Sequence, residues 1–370
     1  MIVQFGTSRF LQAHVDLFAS EARDAGQDVA GITIVQTTGN ADRARRLGAF
    51  SDPDGFPVIV RGLESGQPID RTVRVRSVVR GLQAGPDWQE LVTLVRDQAT
   101  HIVSNTGDTG YEVLDGDDDV PRVPRSFPAM LVELLYRRWH SGGAPLTLLP
   151  CELVPRNGEA IRNRAASLAE AQGRDPAFVD WLRSSCVWAN TLVDRIVSAP
   201  LEPAGAIAEP YALWAIERAP GLAMPFTHPS IVLTDELEPF ERLKLHVLNL
   251  GHSWLADRWS RQGAAPGRTV REMVAEPETR AALDRLMTEE VVPGFAARGL
   301  EESARAYVAT TIERFENPFL DHLLSDIHAH HATKIERRIA GFVEWVDDAV
   351  MPPLPMPELR RLATSQRMTA

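Results

Sequence analysis

One run constrains this chain more than any other, residues 236–259, which read ELEPFERLKLHVLNLGHSWLADRW. It has no proline after Pro239, and its apolar residues recur at helical spacing, which predicts a long helix with a buried face. Lys244, Asn249 and His252 stand among those apolar residues, and buried polar groups need a partner or a function. Lys244 and His252 are expected roughly 12 Å apart along the axis at about 1.5 Å per residue. The three side chains would fan over roughly 140° at about 100° per residue and line a concave wall.

The chain on either side of this run has two different patterns. Before it, short apolar runs alternate with helical segments, which predicts a parallel sheet with crossover helices. After it, the periodicity is helical throughout, which predicts an all-α domain. The expected strands before the run include residues 2–6, 32–37, 101–106 and 145–149, and the expected helices after it are 278–290, 301–315, 319–327 and 332–350.

Charge and cysteine usage limit the functions open to the chain. A net charge of −11 and a pI near 5.4 disfavour a nucleic-acid or anionic-membrane binder, so we expect a small-molecule ligand. Two cysteines are too few for a four-thiol zinc site or a disulfide framework, and His328, His330 and His331 have no suitably spaced acid or cysteine to complete a metal site. We therefore predict no metal. No targeting segment and no apolar stretch of about 20 residues is evident, which favours a cytoplasmic protein.

The first strand, turn and helix predict a nucleotide site. The run IVQFG ends in Gly6, and a glycine there lets the backbone approach a pyrophosphate at the start of the next helix. The G-x-G-x-x-G pattern is incomplete, because Ser8 and Leu11 stand where two of its glycines would fall. The strand at 101–106 opens into another glycine-containing loop. The expected cofactor contacts in these two loops are Gly6, Thr7, Ser8, Arg9, Phe10, Asn105, Thr106 and Asp108.

The sequence leaves the choice of nicotinamide cofactor open. NAD-binding domains often hold the adenosine ribose with an acid at the end of the second strand, and none stands after ITIVQT at residues 32–37. Asp42 follows a few residues later. Arg43, Arg45 and Arg46 are either solvated or placed to meet the 2′-phosphate of NADP.

Several motifs, in order, resemble the mannitol dehydrogenase family, the polyol-specific long-chain dehydrogenases. They are GTSRFLQAH from Gly6, PCELVPRNG at 150–158, NTLVDRIV at 190–197, K-x4-N-x2-H-S from Lys244, and RFENP at 314–318. The resemblance implies a Rossmann-type dinucleotide-binding domain over 1–232, followed by an all-α substrate and catalytic domain over 233–370. It also implies NAD rather than NADP, without excluding NADP, and a cofactor-site role for Asn157, whose residue type also suits a helix cap.

The same resemblance implies metal-independent hydride transfer to or from a sugar-derived alcohol or ketone. Lys244 would act as the base if burial and neighbouring cations lower its pKa from about 10.4. Asn190 and Asn249 would polarise the reacting oxygen, and His252 would orient a neighbouring hydroxyl. Glu241 either relays the proton to water or forms an ordinary ion pair with Lys244, and both roles stay open.

The substrate is expected to be a sugar acid. The sequence in and around the motifs resembles the tagaturonate reductase (altronate oxidoreductase) branch of the family, which implies a keto-uronate and aldonate pair. Lys334, helped by Arg337 or Arg338, would then bind the remote carboxylate, because burying an unpaired carboxylate costs several kcal/mol. One alternative is a neutral alditol and ketose pair of the mannitol, arabinitol or altritol type, with hydroxyl partners among His252, His328 and His331. A remote alternative is an inactive cofactor-binding sensor, which only Ser8 favours.

Overall fold

The computed structural model describes residues 1–39, 44, 46–107, 109–120 and 123–367, with side chains described up to residue 364. The chain forms two compact units. The first contains Met1–Val60, Arg71–Ala208 and Ala212–Leu237. The second contains Arg61–Asp70, Glu209–Tyr211 and the chain from Glu238 onward. No helix in the described part of the chain is long and apolar enough to span a membrane.

The first unit is built on a parallel sheet of six strands, whose order across the sheet is β5 (Val78–Gln83), β2 (Ile32–Gln36), β1 (Ile2–Phe5), β6 (His101–Ser104), β7 (Thr147–Pro150) and β8 (Val187–Trp188). This is the order 3-2-1-4-5-6 of dinucleotide-binding domains, with the change of direction between β1 and β6. The four central strands β2, β1, β6 and β7 are short and buried on both faces, as strands covered by helices on two sides are. The strands are β1 Ile2–Phe5, β2 Ile32–Gln36, β3 Phe56–Glu64, β4 Gln67–Val75, β5 Val78–Gln83, β6 His101–Ser104, β7 Thr147–Pro150, β8 Val187–Trp188, β9 Thr191–Asp194, β10 Val197–Pro200, β11 Ala206–Ala208, β12 Leu213–Glu217 and β13 Ile231–Thr234.

The remaining strands form two smaller sheets. One has the order β10-β11-β3-β4 and the other β13-β12-β9. In β3 the burial alternates residue by residue, as expected from its alternation of apolar and other residues. The helices of the first unit are α1 Arg9–Gln12, α2 Val15–Asp24, α3 Trp88–Asp97, α4 Phe127–His140, α5 Asn157–Ala171 and α6 Pro176–Ser184, with a 3-10 helix at Leu47–Ser51.

The helix expected over residues 9–25 is interrupted. Ala13 and His14 separate α1 from α2, and His14 has φ −127° and ψ −97°. Its ring is fully buried, and its Nε2 lies 2.9 Å from the carbonyl oxygen of Leu213. Tertiary hydrogen bonding therefore overrides the helical periodicity at this position.

The second unit is helical, apart from the short segments from 61–70 and 209–211. Three of its helices contain a turn of π-helix, at Lys244–Leu248, Leu286–Val291 and Glu336–Ala340. Residues 319–323 of the expected helix 319–327 are not helical. The helices are α7 Glu238–Leu243, α8 Asn249–Arg261, α9 Val270–Val274, α10 Pro277–Arg285, α11 Val292–Ala296, α12 Glu301–Phe315, α13 Leu324–His328, α14 His331–Ile335, α15 Gly341–Asp347 and α16 Pro357–Arg367.

Candidate active site

A cleft lies at the carboxyl ends of β1, β2 and β6, beside the change of strand direction. Its empty volume is about 770 Å³, part of it open to solvent. Ligands of open α/β sheets bind at this edge. The cleft is lined by Gly6, Thr7, Ser8, Arg9, Gln36, Thr37, Thr38, Arg46, Asn105, Thr106 and Gly107.

Gly6 allows the loops after β1 and β6 to approach each other. Its φ is +111°, and a Cβ built on it would lie 2.4 Å from the carbonyl oxygen of Asn105. Any other residue would be strained in conformation and would collide with backbone. The chain thus provides the close glycine turn that a pyrophosphate requires.

Ser8 and Arg9 already have protein partners. Ser8 caps α1, because its Oγ accepts a hydrogen bond of 3.2 Å from the N–H of Leu11. Arg9 donates to Glu202 at 2.8 Å and to the carbonyl oxygen of Gly205 at 3.1 Å. Arg9 therefore reaches the cleft as part of an ion pair.

Of the other residues predicted for the cofactor site, some line the cleft and others do not. Phe10 stacks on His14 with ring centroids 4.8 Å apart, and it is not among the residues that line the cleft. Arg46 lines the cleft and lies 3.2 Å from Glu202. Gln36 stands at the end of β2, where many NAD-binding domains have an acid, and its Nε2 donates to the carbonyl oxygen of Thr38 at 2.6 Å. The remaining predicted residues of these loops, Asp42, Arg43, Arg45 and Asp108, lie outside the described residues.

Glu152 organises the loop after β6, a role that the sequence motifs did not indicate. Its buried carboxylate accepts hydrogen bonds of 2.9–3.0 Å from Ser104 Oγ, from the N–H and Oγ1 of Thr106, and from Tyr111 OH. Burial and the Glu152 charge raise the pKa of the Tyr111 phenol. The available signal was an acid in the loop just beyond the carboxyl end of β7, separated from that strand by Cys151. The neighbouring Cys151 is fully buried, and burial raises the pKa of its thiol well above 9.0, which makes it inert.

Asn157 is a support for this edge and does not face the cleft. It is 1% exposed, and its Nδ2 donates to the carbonyl oxygens of Pro150, Glu152 and Thr191. Its Oδ1 accepts from the N–H groups of Gly158 and Thr191 at 2.9 Å. The amide is thus fully engaged with backbone groups, and the cofactor role of Asn157 stays a prediction. Arg156 occupies the cap position of α5, so Asn157 is not the cap.

Asn190, in the same unit, is also held by protein groups. It is 5% exposed. Its Nδ2 donates to Glu217 Oε2 at 2.6 Å, and its Oδ1 accepts from the N–H of Glu159 at 3.1 Å. Glu217 is a second acidic residue that the motifs did not identify. These two contacts fix the orientation of the Asn190 amide.

In the second unit, Lys244 begins a π-helical turn and Asn249 ends it. The N–H of Asn249 donates to the carbonyl oxygens of both Lys244 and Leu245, so five-residue and four-residue spacings overlap here. The expected 140° fan assumed a uniform α-helix and is therefore wrong across this turn. π-turns inside α-helices are frequent at functional sites. Lys244, Glu241 and Asn249 are all half-buried.

His252 lies buried one turn after Asn249. Its ring centroid is 4.6 Å from that of Phe315 and 4.8 Å from that of His322. Burial lowers its pKa well below 6.5, helped by His322 and by the positive charges of Arg314, Arg338 and Lys334. His252 is therefore neutral at pH 7.

The R-F-x-N-P motif at residues 314–318 positions the residues that pack against His252. Arg314 forms a buried ion pair with Glu209, with an Nη2 to Oε1 distance of 2.8 Å, and its guanidinium lies 4.4 Å from the ring centroid of Tyr211. Asn317 Oδ1 accepts from the N–H of Phe319 at 2.9 Å. The motif holds α12 in place, so that Phe315 packs against the His252 ring.

Lys334 and Arg338 differ from most cations of this unit. Lys334 Nζ donates to the carbonyl oxygen of Ile327 at 2.7 Å, and Arg338 Nη1 donates to Ser253 Oγ at 3.0 Å. Neither has a carboxylate within ion-pair distance among the residues that the structure describes. Arg337 on the same helix is exposed.

His328 and His331 form a separate pair. Their rings stack with centroids 4.3 Å apart, and His331 Nε2 lies 3.6 Å from Asp257 Oδ1. Within the described ranges, no group of three histidine, cysteine or acidic side chains is arranged to hold a metal ion.

Comparisons with known proteins agree with this architecture. The model of the mannitol dehydrogenase Rossmann domain matches residues 1–225, and that of the mannitol dehydrogenase C-terminal domain matches residues 236–349. The altronate oxidoreductase of Yersinia enterocolitica is 30% identical over 91% of this chain and 73% of the relative. That of Halalkalibacterium halodurans is 28% identical over 91% of this chain and 69% of the relative.

Two solved structures share the fold. A substrate-free D-sorbitol dehydrogenase superposes with a TM-score of 0.76 at 20% identity, covering 92% of this chain and 75% of that one. The mannitol 2-dehydrogenase of Pseudomonas fluorescens, in a ternary complex with NAD and D-mannitol, gives 0.70 at 18% identity, covering 100% and 86%. The predicted fold class, a Rossmann-type domain followed by an all-α one, is confirmed. The chain belongs to the mannitol dehydrogenase family of NAD-dependent oxidoreductases that act on CH–OH groups.

Proposed function

We propose that the protein interconverts a keto-uronate, such as tagaturonate, and its aldonate. The observation that carries this substrate class is the pair Lys334 and Arg338. These cations lie one turn apart, both are half-buried, and no carboxylate among the described residues neutralises them. In addition to burial, the positive charges of both lower the pKa of His252, which lies further along the helix that carries Lys244.

The electrostatics favour an anionic ligand. Burial and the charge of Arg338 lower the pKa of Lys334, so the two cations repel each other in a partly desolvated place. Several other arginines of this unit have acidic partners, as Arg314 has Glu209 and Arg360 has Asp347. An incoming carboxylate would relieve the repulsion of Lys334 and Arg338 and would gain charge-assisted hydrogen bonds from them. The relatives named altronate oxidoreductase support the same class, since altronate is a sugar acid.

The remaining roles follow from the helix 238–261. When bound, the nicotinamide supplies or accepts the hydride. We assign Lys244 the removal of the hydroxyl proton during oxidation and its return during reduction. Asn249 hydrogen-bonds the reacting oxygen, and neutral His252 orients an adjacent hydroxyl. Glu241 stays a proposed proton relay, and Asn190 stays a proposed donor to the oxygen.

The division of labour along the chain is part of the proposal. Residues 1–232 would bind the dinucleotide in the cleft beside Gly6, and residues 233–370 would bind the small-molecule substrate. The cleft supports this because its glycine turn leaves no room for a Cβ, and its lining includes backbone and hydroxyl donors.

Steady-state kinetics with a keto-uronate and its neutral ketose analogue test the proposal. Wild type should prefer the acid. Lys334→Ala and Arg338→Ala should lower kcat/KM for the acid by about 10–100-fold, chiefly through KM, and lower that for the neutral sugar much less, because each removes a donor to the carboxylate. Arg285→Ala, at an exposed arginine of α10, serves as the matched control. A wild-type preference for the neutral sugar, or equal losses on both substrates, would refute the carboxylate site.

A further inference from the structure

A second imidazole, His322, faces His252 and belongs to none of the motifs. The two ring centroids are 4.8 Å apart and the ring planes are inclined by 69°. In this edge-to-face arrangement the two rings are in direct contact. The Nδ1 atom of His322 is buried and has no hydrogen-bond partner within the described part of the chain. Buried ring nitrogens are normally satisfied by protein, water or ligand, so this atom needs an explanation.

The backbone holds His322 in a fixed position. Its carbonyl oxygen accepts a hydrogen bond of 2.9 Å from the N–H of Val270. The next residue, Leu323, pairs with Thr269 in an antiparallel bridge. The ring of Phe315 also packs against His252, with centroids 4.6 Å apart. The two imidazoles are thus pre-organised, which is what a specific contact requires.

Their charge state suits a hydroxyl. Burial is the main cause that lowers the pKa of each ring, and the positive charge of Lys334 acts in the same direction on both. Asp326 opposes the shift at His322 without reversing it. A neutral imidazole offers one N–H donor and one acceptor nitrogen. A hydroxyl group needs both kinds of partner, whereas a carboxylate needs only donors.

We infer that His322, beside His252, binds a hydroxyl of the substrate, which makes His322 a specificity-determining residue. This inference rests on the proposed function in requiring a polyhydroxylated substrate at helix 238–261. It does not depend on the carboxylate that Lys334 and Arg338 would bind. The two proposals can therefore fail separately.

The test compares wild type, His322→Ala and His322→Asn on the keto-uronate and on its monodeoxy analogues, each lacking one hydroxyl. His322→Ala should lower kcat/KM on the parent about tenfold, mainly through KM, and His322→Asn should recover part of this loss. On the analogue that lacks the contacted hydroxyl, wild type and His322→Ala should agree within about twofold. The control is His330→Asn, because His330 is exposed and asparagine tolerates its φ of +55°.

Two outcomes would overturn the inference. One is a His322→Ala enzyme with wild-type kinetics on the parent, and the other is an equal penalty on every deoxy analogue, which a merely structural role would give. If His322→Ala does not fold, as judged by circular dichroism, His322→Asn is measured on the same analogues and decides. If wild type prefers a neutral ketose, the carboxylate proposal fails, and the deoxy analogues of that ketose test His322 in the same way.

Discussion

The carboxyl group of Asp16 gives a quantitative prediction about stability. Asp16 lies in α2 and is fully buried, and its Oδ2 accepts a hydrogen bond of 3.3 Å from Gln4 Nε2. Its Oδ1 is buried without a partner among the described residues. Burial raises the pKa of Asp16 from 3.8 to about 8, against a smaller opposing effect of the Gln4 hydrogen bond. The folded protein therefore keeps Asp16 protonated at neutral pH.

The sign and size of the effect follow from proton linkage. Between pH 3.8 and about 8 the folded state binds this proton and the unfolded state does not, so stability falls as pH rises. At about 1.4 kcal/mol per pKa unit, the contribution is a loss of roughly 2 kcal/mol at pH 5 and roughly 4 kcal/mol at pH 7. Asp16→Asn removes the titration while keeping a similar shape. The free energy of unfolding of the variant, relative to that of wild type, should thus rise by about 2–3 kcal/mol as the pH is raised from 5 to 7.

Urea denaturation followed by circular dichroism at pH 5, 6, 7 and 8 measures the free energy of unfolding of both proteins. The relevant quantity is the difference between Asp16→Asn and wild type as a function of pH, which cancels the other titrating groups. Asp24→Asn, at an exposed aspartate at the end of the same helix, should show no such trend. A difference that stays constant from pH 5 to pH 7 would refute the protonated buried carboxyl.

Four further outcomes are expected. Lys244→Ala should lower turnover at least about a hundredfold and leave NADH affinity almost unchanged, in stopped-flow and fluorescence titrations; near-wild-type turnover would remove it from the mechanism. Gly6→Ala should abolish NADH binding in the same titration, because its Cβ would lie 2.4 Å from the Asn105 carbonyl oxygen. Glu152→Gln should raise the NADH dissociation constant about tenfold, since replacing one carboxylate oxygen by an NH2 group removes the acceptor for two of the four hydrogen bonds. EDTA should not change activity, and a loss that zinc restores would contradict this.

Local patterns predicted the dinucleotide-binding part of the fold well. The strand, the turn and the beginning of the following helix at residues 2–12 lie where periodicity and Gly6 place them, because a buried β-branched run and a glycine turn are local properties. The break at Ala13 and His14 was not predictable, since it depends on a hydrogen bond to Leu213, far away in sequence. Glu152 was missed for a similar reason. Its importance lies in four donors that the folded sheet edge gathers around one carboxylate.

The π-turn at Lys244 shows why the sequence predicts the location of the candidate site but not its geometry. Residue types fix which side chains stand on the helix, and the motif therefore found Lys244, Asn249 and His252. The choice between four-residue and five-residue hydrogen bonds depends on what packs against the helix. Here His246, 1% exposed, lies with its Nδ1 3.0 Å from the carbonyl oxygen of Arg338, which belongs to another π-turn.

This hydrogen bond connects the helix that carries the proposed base, Lys244, with the turn that carries Arg338. Burial lowers the pKa of His246 to about 4, so its ring stays neutral, and Nδ1 must carry the proton because a carbonyl oxygen only accepts. The bond joins the π-turn that begins at Lys244 to the π-turn that carries Arg338. The positions of the proposed base and of the proposed carboxylate-binding cation are therefore coupled through this hydrogen bond. A substitution that shifts either turn should change both sites together, which no local reading of either motif would indicate.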